Sequence, residues 1–454
     1  MAKKLDLRQG ILWKQILLFS LPIAATSMLQ QLFNSADVAV VGRFSAQKEL
    51  ALAAVGSTTS IVNLYITIFT GLAVGANVVI ARCLGAGEEG EVRKAVHTSL
   101  VAAVVSGAAL LVVGQLSVGP LLLWMDTPQD ILPLARQYLR IYLLGAVFQM
   151  VYNFEAAILR ASGDTRRPLL CLLLSGGVNV GLNLLFVIGL RLDVAGVALA
   201  TVIADVVGAA LLWVCLRRET GAIRVEPALL RPDRKLLRAI LYIGIPAAVQ
   251  GMMFNIANVI IQAGINRLGS QVVAASTIGV TAEIFVYYLL NSFGQASMTF
   301  TGQNYGAGDL GRCRRATRWC LALGGLLSEA FALLLVAAGW SFAGLYTTEP
   351  AILALALVRL RWVLPFELFN TVIEVLSGTL RGLGYSFVPT LLCAVFVCGL
   401  RILWVAFVFP LHPTFQGLLL VYPVSWLAAG GALAVAYGML KKKLLSDQSQ
   451  PLAV

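Results

Sequence analysis

Twelve runs of roughly 20 or more apolar residues, separated by short polar breaks, dominate this chain, and a sequence so built has the bilayer as its solvent. The expected helical cores are 13–41, 50–82, 95–117, 131–157, 169–190, 194–216, 238–265, 271–300, 316–340, 351–378, 388–410 and 417–440. Of the 454 residues, 59% are hydrophobic and only 12% charged. That balance, with a mean hydropathy of +0.85, excludes a soluble domain. A cleavable signal peptide is not expected, because the first apolar run is too long and continues through Pro22 to Asp37 without a convincing cleavage site.

The net charge of +12 raises the question of an anionic partner. With the amino terminus placed in the cytoplasm, twenty-five of the 34 Lys and Arg fall on or near cytoplasmic segments and nine elsewhere. This is the positive-inside bias, so orientation explains the basic balance and no nucleic acid is called for. Both termini are expected in the cytoplasm. The seven cysteines lie within helices or on that side, so disulfides are not expected. With His97 and His412 alone there is no histidine metal centre, and no Gly-rich loop ends in Lys-Ser or Lys-Thr, so no ATP site is read.

The chain is a duplication. An offset of 221 residues carries Arg160, Gly163 and Pro168 onto Arg381, Gly384 and Pro389, LGAGE at 84–88 onto YGAGD at 305–309, Phe33-Asn34 onto Phe254-Asn255, and Gly196 onto Gly417. Each half therefore holds six helices, and an even number makes the two repeats parallel. The expected fold is all-α: a polytopic membrane protein of twelve transmembrane helices, arranged as two parallel six-helix repeats forming a V-shaped pair of lobes. Its segments are an N-lobe over 1–216, a basic cytoplasmic linker over 217–237, a C-lobe over 238–440 and a cytoplasmic tail over 441–454. Pro22 and Pro246, at matching mid-span positions of the first helices, are candidate hinges.

The halves differ most informatively in their polar residues. The same offset pairs Asp37 with Asn258, Asn179 with Leu400, Asn183 with Trp404, Thr201 with Tyr422 and Asp205 with Trp426. A carboxylate near mid-bilayer costs ~2.5–3.5 kcal/mol on the insertion scale, so Asp37 needs a partner or a task. Asn179 and Asn183 share one face of the fifth span, and Thr201 and Asp205 one face of the sixth, at depths near that of Asp37. Such a group makes either a hard-cation site or a carboxyl whose protonation burial brings into a useful range. Intramembrane Asn and Thr also commonly bond a neighbouring helix. Asp205 reads equally as a satisfied carboxyl or a functional one. In the second half, Glu283 is structural if paired with Arg401 and attracts cations if it faces the central cavity; the cavity is the favoured reading.

These residues resemble the multidrug and toxic compound extrusion family, secondary antiporters that expel organic cations against sodium ions or protons. The likeness spans nearly the whole chain and rests on Pro22 followed 15 residues later by Asp37 and then Gly42-Arg43, on Gly85-Ala86-Gly87 with its repeat within Gly302–Gly308, and on the Arg-Gly-Pro breaks. The resemblance implies a coupling-ion site, for Na+ or H+, at Asp37, Asn179, Asn183 and Thr201. Position 183 is a second acid in several members and an amide here, a gap that Asp205 is a candidate to fill. Where another branch has a seventh-helix glutamate, this chain has Asn255 and Asn258; Glu283 resembles instead an eighth-helix glutamate of bacterial members. Gln30, Tyr152, Asn153, Tyr287 and Phe369 are candidate contacts for a flat cationic drug, against ordinary packing as the alternative. The implied protein is a non-enzymatic antiporter of the bacterial inner membrane, a functional monomer among lipid, with small organic cations as cargo and no cofactor beyond the coupling ion. A lipid-linked oligosaccharide or lipid flippase of the same superfamily is the alternative.

Overall fold

Hydrocarbon offers backbone N–H and C=O groups no water, so a chain in it must satisfy them within helices or a closed barrel. The computed structural model describes residues 5–45 and 48–446, and these contain helices and no strand. The long helices are α1 (Leu12–Phe44), α2 (Lys48–Ala86) and α3 (Glu89–Trp124). After them come the bent pair α4 (Leu132–Leu144) and α5 (Ala146–Ala161), then α6 (Arg166–Leu184) and α7 (Asp193–Arg217). The second half repeats the order with α8 (Arg234–Asn266), α9 (Ser270–Gly306) and α10 (Leu310–Ala337), the short α11 (Gly339–Gly344), then α12 (Pro350–Val363) and α13 (Glu367–Gly382). The last stretch holds α14 (Phe387–Cys393), α15 (Leu400–Leu403), α16 (Phe415–Leu419) and α17 (Val421–Ser446), with π-helical turns around α15.

Ten helices among the described residues are long and apolar enough to cross a membrane, and α4–α5, bent by 46°, makes an eleventh. The segment expected as a span over 351–378 is instead divided: a 3-10 turn at Leu364–Phe366, carrying Pro365, separates α12 from α13. Proline supplies no N–H and clashes with the carbonyl four residues back, which is enough to end α12 there. Four charged residues, Arg359, Arg361, Glu367 and Glu374, also fall within this stretch.

The duplication is visible in the backbone. Gly87 and Gly308 both take positive φ, 75° and 76°, at the turns into α3 and α10, and Gly163 and Gly384 both take 86° at the turns after α5 and α13. All four differ by the offset read from the sequence. Only glycine adopts this region without a Cβ penalty, which explains why the turn residues outlasted the divergence of everything around them.

Two compact units make up the chain, one built on Ala25–Ala248 and the other on Leu7–Ala24 together with Val249 onward. The boundaries fall two residues after Pro22 inside α1 and two residues after Pro246 inside α8. In the first unit the early part of α8 lies on α2 at van der Waals limits: a Cβ on Gly75 would overlap the Ile240 carbonyl, and one on Gly244 would sit 2.9 Å from that of Leu72. The segment between α7 and α8 is docked there too, with His97 Nε2 accepting from the Glu226 N–H (3.0 Å) and Arg167 paired with Glu219. In the second unit the early part of α1 sits on α9, where the Phe19 and Phe300 rings meet edge to face at 5.6 Å. Arg312 of α10 donates to the carbonyls of Leu7 (3.2 Å) and Gln9 (2.8 Å) just ahead of α1.

Small-residue contacts of this kind hold helices together where lipid removes the hydrophobic drive between them. Gly75→Val is therefore expected to lower stability by about 1–3 kcal/mol through overpacking. Gly177→Ala, whose Cβ would meet nothing within 4 Å, is expected to be harmless. Thermal unfolding of the purified variants in detergent checks the contrast.

Candidate functional site

Four of the predicted residues converge inside the first unit. Asp37 lies on α1 two turns before its end and is 8% exposed. Asn183, on α6 just ahead of the π turn Leu185–Gly189, is fully buried and donates to Asp37 Oδ1 at 2.5 Å. Thr201 of α7 donates its hydroxyl to Asp37 Oδ2 (3.3 Å) and to the Val197 carbonyl (3.0 Å). Asn179, one turn before Asn183, accepts from its amide at 3.2 Å and donates to Thr201 Oγ1 at 3.4 Å. Three helices thus deliver one carboxylate, two amides and one hydroxyl to a single bonded cluster.

Two features mark the cluster out. No Lys, Arg or His pairs with Asp37 among the described residues; its bonds come from neutral donors. Asn183 Oδ1 is buried without a donor among the described residues. A buried acceptor left unmet costs about 1–3 kcal/mol, and here it adjoins an uncompensated carboxylate. Hard cations take oxygen ligands of this kind, carboxylate and amide carbonyl together. A proton on Asp37 answers the same charge without the amide.

Asp205, the candidate for the missing second charge, shares no hydrogen bond with this cluster among the described residues. It lies one turn beyond Thr201 on α7, and its Oδ2 stands 3.1 Å from where a Cβ on Gly145 would be. Gly145 is the break between α4 and α5, and a Cβ there would press on the carboxylate. Beside it Tyr138 and Tyr142 stack at 6.1 Å, and Gln149 donates to the Tyr142 hydroxyl at 3.4 Å.

The drug-contact candidates stay with their own units. In the first, the Tyr152 hydroxyl donates to the Pro168 carbonyl (3.3 Å) and the Asn153 amide to that of Gln149 (2.8 Å); Gln30 is half-buried on α1. In the second, Tyr287 is 38% exposed next to Tyr288, and the Phe369 ring stacks on Phe366 at 6.4 Å.

Glu283 requires correction. Expected to face a cavity as a cation-attracting acid, it accepts from Arg359 through Nε at 2.7 Å and Nη2 at 2.9 Å, a bidentate pair that neutralises it. Arg401 bonds Asn258 instead, at 2.8 Å. Arg359 went unread although two signals were present: it interrupts an apolar run, and the 221-residue offset places it on Tyr138. Glu155 of α5 was also missed; it is fully buried with neither carboxylate oxygen hydrogen-bonded among the described residues.

The described residues thus form a duplicated all-helical membrane protein with a buried carboxylate lacking a basic partner, Asp37, in one repeat and an ion-paired one, Glu283, in the other. The MatE family profile matches residues 22–185 and 246–407, one match in each repeat. The chain belongs to this family of membrane transporters. It is similar to a probable multidrug resistance protein, YoeA, of Bacillus subtilis, 25% identical over 435 residues covering 94% of this chain and 93% of the relative. A probable multidrug resistance protein, NorM, of Thermotoga maritima is 26% identical over 409 residues, with 87% and 85% covered. A crystal structure of a MATE protein in complex with MaL6 superposes with a TM-score of 0.90 over 98% of this chain and all of the other, at 22% identity.

The bond between Asn183 and Asp37 is charge-assisted and buried. A double-mutant cycle on Asp37→Asn and Asn183→Ala, read by thermal unfolding, is expected to give a coupling energy of about 1.5–3 kcal/mol. A value under ~0.5 kcal/mol would detach the two residues.

Proposed function

We propose that this protein is a secondary antiporter that exports organic cations in exchange for sodium ions or protons by alternating access. The observation that carries the reading is Asp37: a buried carboxylate held by neutral donors on two other helices, with no basic partner among the described residues. Such a group demands a cation, and an exchangeable one meets the demand in one state of the cycle and leaves it open in another. The printed names of the relatives, multidrug resistance proteins, support drugs as cargo.

Asp37, Asn179, Asn183 and Thr201 form the coupling site in this reading. Sodium would draw on the Asp37 oxygens, the two amide oxygens and the Thr201 hydroxyl; a proton would need Asp37 alone. Asp205, outside the bonded cluster, sets the field near it. When the coupling ion arrives it neutralises Asp37 and weakens the pull on Asn183 and Thr201. The later part of α1 is then free to pivot at Pro22, with Pro246 as the matching hinge of α8. The ion shifts the equilibrium only by its differential affinity for the two conformations. A bacterial inner-membrane location with both termini in the cytoplasm follows the distribution of Lys and Arg.

Uptake of ethidium into inside-out vesicles under separately imposed sodium and proton gradients tests this. The unaltered protein is expected to accumulate ethidium under one gradient, Asp37→Asn to lose at least tenfold, and Asp205→Asn to keep its activity with a changed ion dependence. Uptake that persists in Asp37→Asn would make that residue structural. No uptake under either gradient would hand the reading to a flippase.

A further inference from the structure

Where the first unit holds its acid, the second holds a cation of its own. The 221-residue offset carries Asp37 onto Asn258 and Thr201 onto Tyr422, and Asn258 accepts from Arg401 Nη1 at 2.8 Å. Arg401 is 1% exposed, and its other contacts are the Ser425 hydroxyl, 3.3 Å from Nε, and the face of Tyr422, 4.7 Å from the guanidinium carbon to the ring centroid. Arg359 also lies over that ring, at 5.3 Å, is itself neutralised by Glu283 and donates to Ser276 Oγ (2.6 Å) and the Tyr422 hydroxyl (3.2 Å). Glu367, a further buried carboxylate nearby in the sequence of α13, accepts from Asn370 at 2.9 Å. Among the described residues Arg401 makes no ion pair.

A guanidinium so placed receives what a mobile cation would seek: an amide oxygen, a hydroxyl oxygen and a π face. We infer that Arg401 is a tethered cation occupying the second unit's counterpart of the coupling site, so that this duplicated position supplies one exchangeable-cation site, not two, and one coupling cation per cycle. The covalent tether explains why no acid is needed at 258: Asn258 offers the oxygen, and a carboxylate there would fuse with Arg401 into a permanent pair. It also explains why the polar residues at 179 and 183 have become Leu400 and Trp404, which present no further oxygens. The stoichiometric part rests on the antiport reading above; the occupancy of the second site by Arg401 does not.

The test adds the missing acid and then removes the tether. Protons taken up between pH 9 and pH 5 are counted with a pH-indicator dye on purified protein in detergent, for the unaltered chain, Asn258→Asp, and Asn258→Asp with Arg401→Met. Each variant must first elute as a single monodisperse peak. Asn258→Asp is expected to match the unaltered count, because Arg401 holds the new carboxylate ionised throughout. The double variant is expected to gain one proton per molecule. An extra proton in Asn258→Asp alone, or none gained in the double variant, overturns the proposal. Should the double variant not fold, the unaltered protein still decides: the ratio of coupling ions to ethidium in reconstituted vesicles is expected to be one, and two would overturn the inference. Asp37→Asn runs alongside in the vesicle assay. If it keeps ion-coupled uptake, the first-unit reading has failed, and the proton counts judge Arg401 independently.

Discussion

A peptide group in hydrocarbon has only other protein groups to bond, and most of this structure follows from that shortage. Long helices close nearly every bond within themselves, so the places where the chain must turn become the places where particular residues are fixed. Gly87, Gly163, Gly308 and Gly384 take a backbone conformation closed to residues with a Cβ. Asp164 and Asp309 accept from the first N–H groups of α6 and α10, Arg166 at 3.0 Å and Arg312 at 2.6 Å. Pro22 and Pro246 break the rule inside a helix and free a carbonyl each. Both lie within two residues of where the chain leaves one compact unit for the other. At 33 residues each, α1 and α8 would run about 50 Å if straight, well beyond a hydrocarbon core of ~30 Å. They have length enough to serve two units.

Because the backbone constraint is identical in both repeats while side-chain chemistry is free, duplication separated the two. The turn glycines kept a common spacing; the polar centres diverged in sign. In the first unit a carboxylate is met by amides and a hydroxyl. In the second, two guanidinium groups contact the Tyr422 ring, one neutralised by Glu283 and the other held by Asn258 and Ser425. At this duplicated position one scaffold thereby carries a carboxylate without a basic partner in one half and a guanidinium in the other.

How much of this was legible in the sequence depends on the range of the interaction involved. Apolar length is local, so the helices were readable to within several residues at each end, while the break of 131–157 at Gly145 and of 351–378 at Pro365, amid four charges, was not. Repeat spacing and helical periodicity brought Asp37, Asn179, Asn183 and Thr201 together, because each rule concerns residues on one face or at one depth. The partner of Glu283 was beyond those rules: Arg359 lies 76 residues away on another helix, and Arg401, next to the counterpart of Asn179, was the visible choice. That Asp205 shares no hydrogen bond with the cluster among the described residues was likewise beyond those rules, since one helical turn from Thr201 fixes a neighbour but not the direction in which a carboxylate points. The orphaned oxygen of Asn183 is a property of the assembled cluster and has no sequence signature at all.

The energies at the cluster match the task proposed for it. Moving a two-state equilibrium from 1:99 to 99:1 takes about 5.5 kcal/mol of differential binding. A hydrogen bond to a charged group contributes ~1.5–3 kcal/mol and a neutral one about 1, so each of the two bonds on Asp37 can change by roughly 0.5–2 kcal/mol when the charge is cancelled. Together they reach about 1–4 kcal/mol, short of a full inversion alone. In the antiport proposed above, the remainder would come from cargo that favours the opposite state, so that exchange would draw on ion and drug together. A stronger grip, such as an arginine on Asp37, would remove that dependence. The second unit, with Arg359 on Glu283, shows what the locked arrangement looks like.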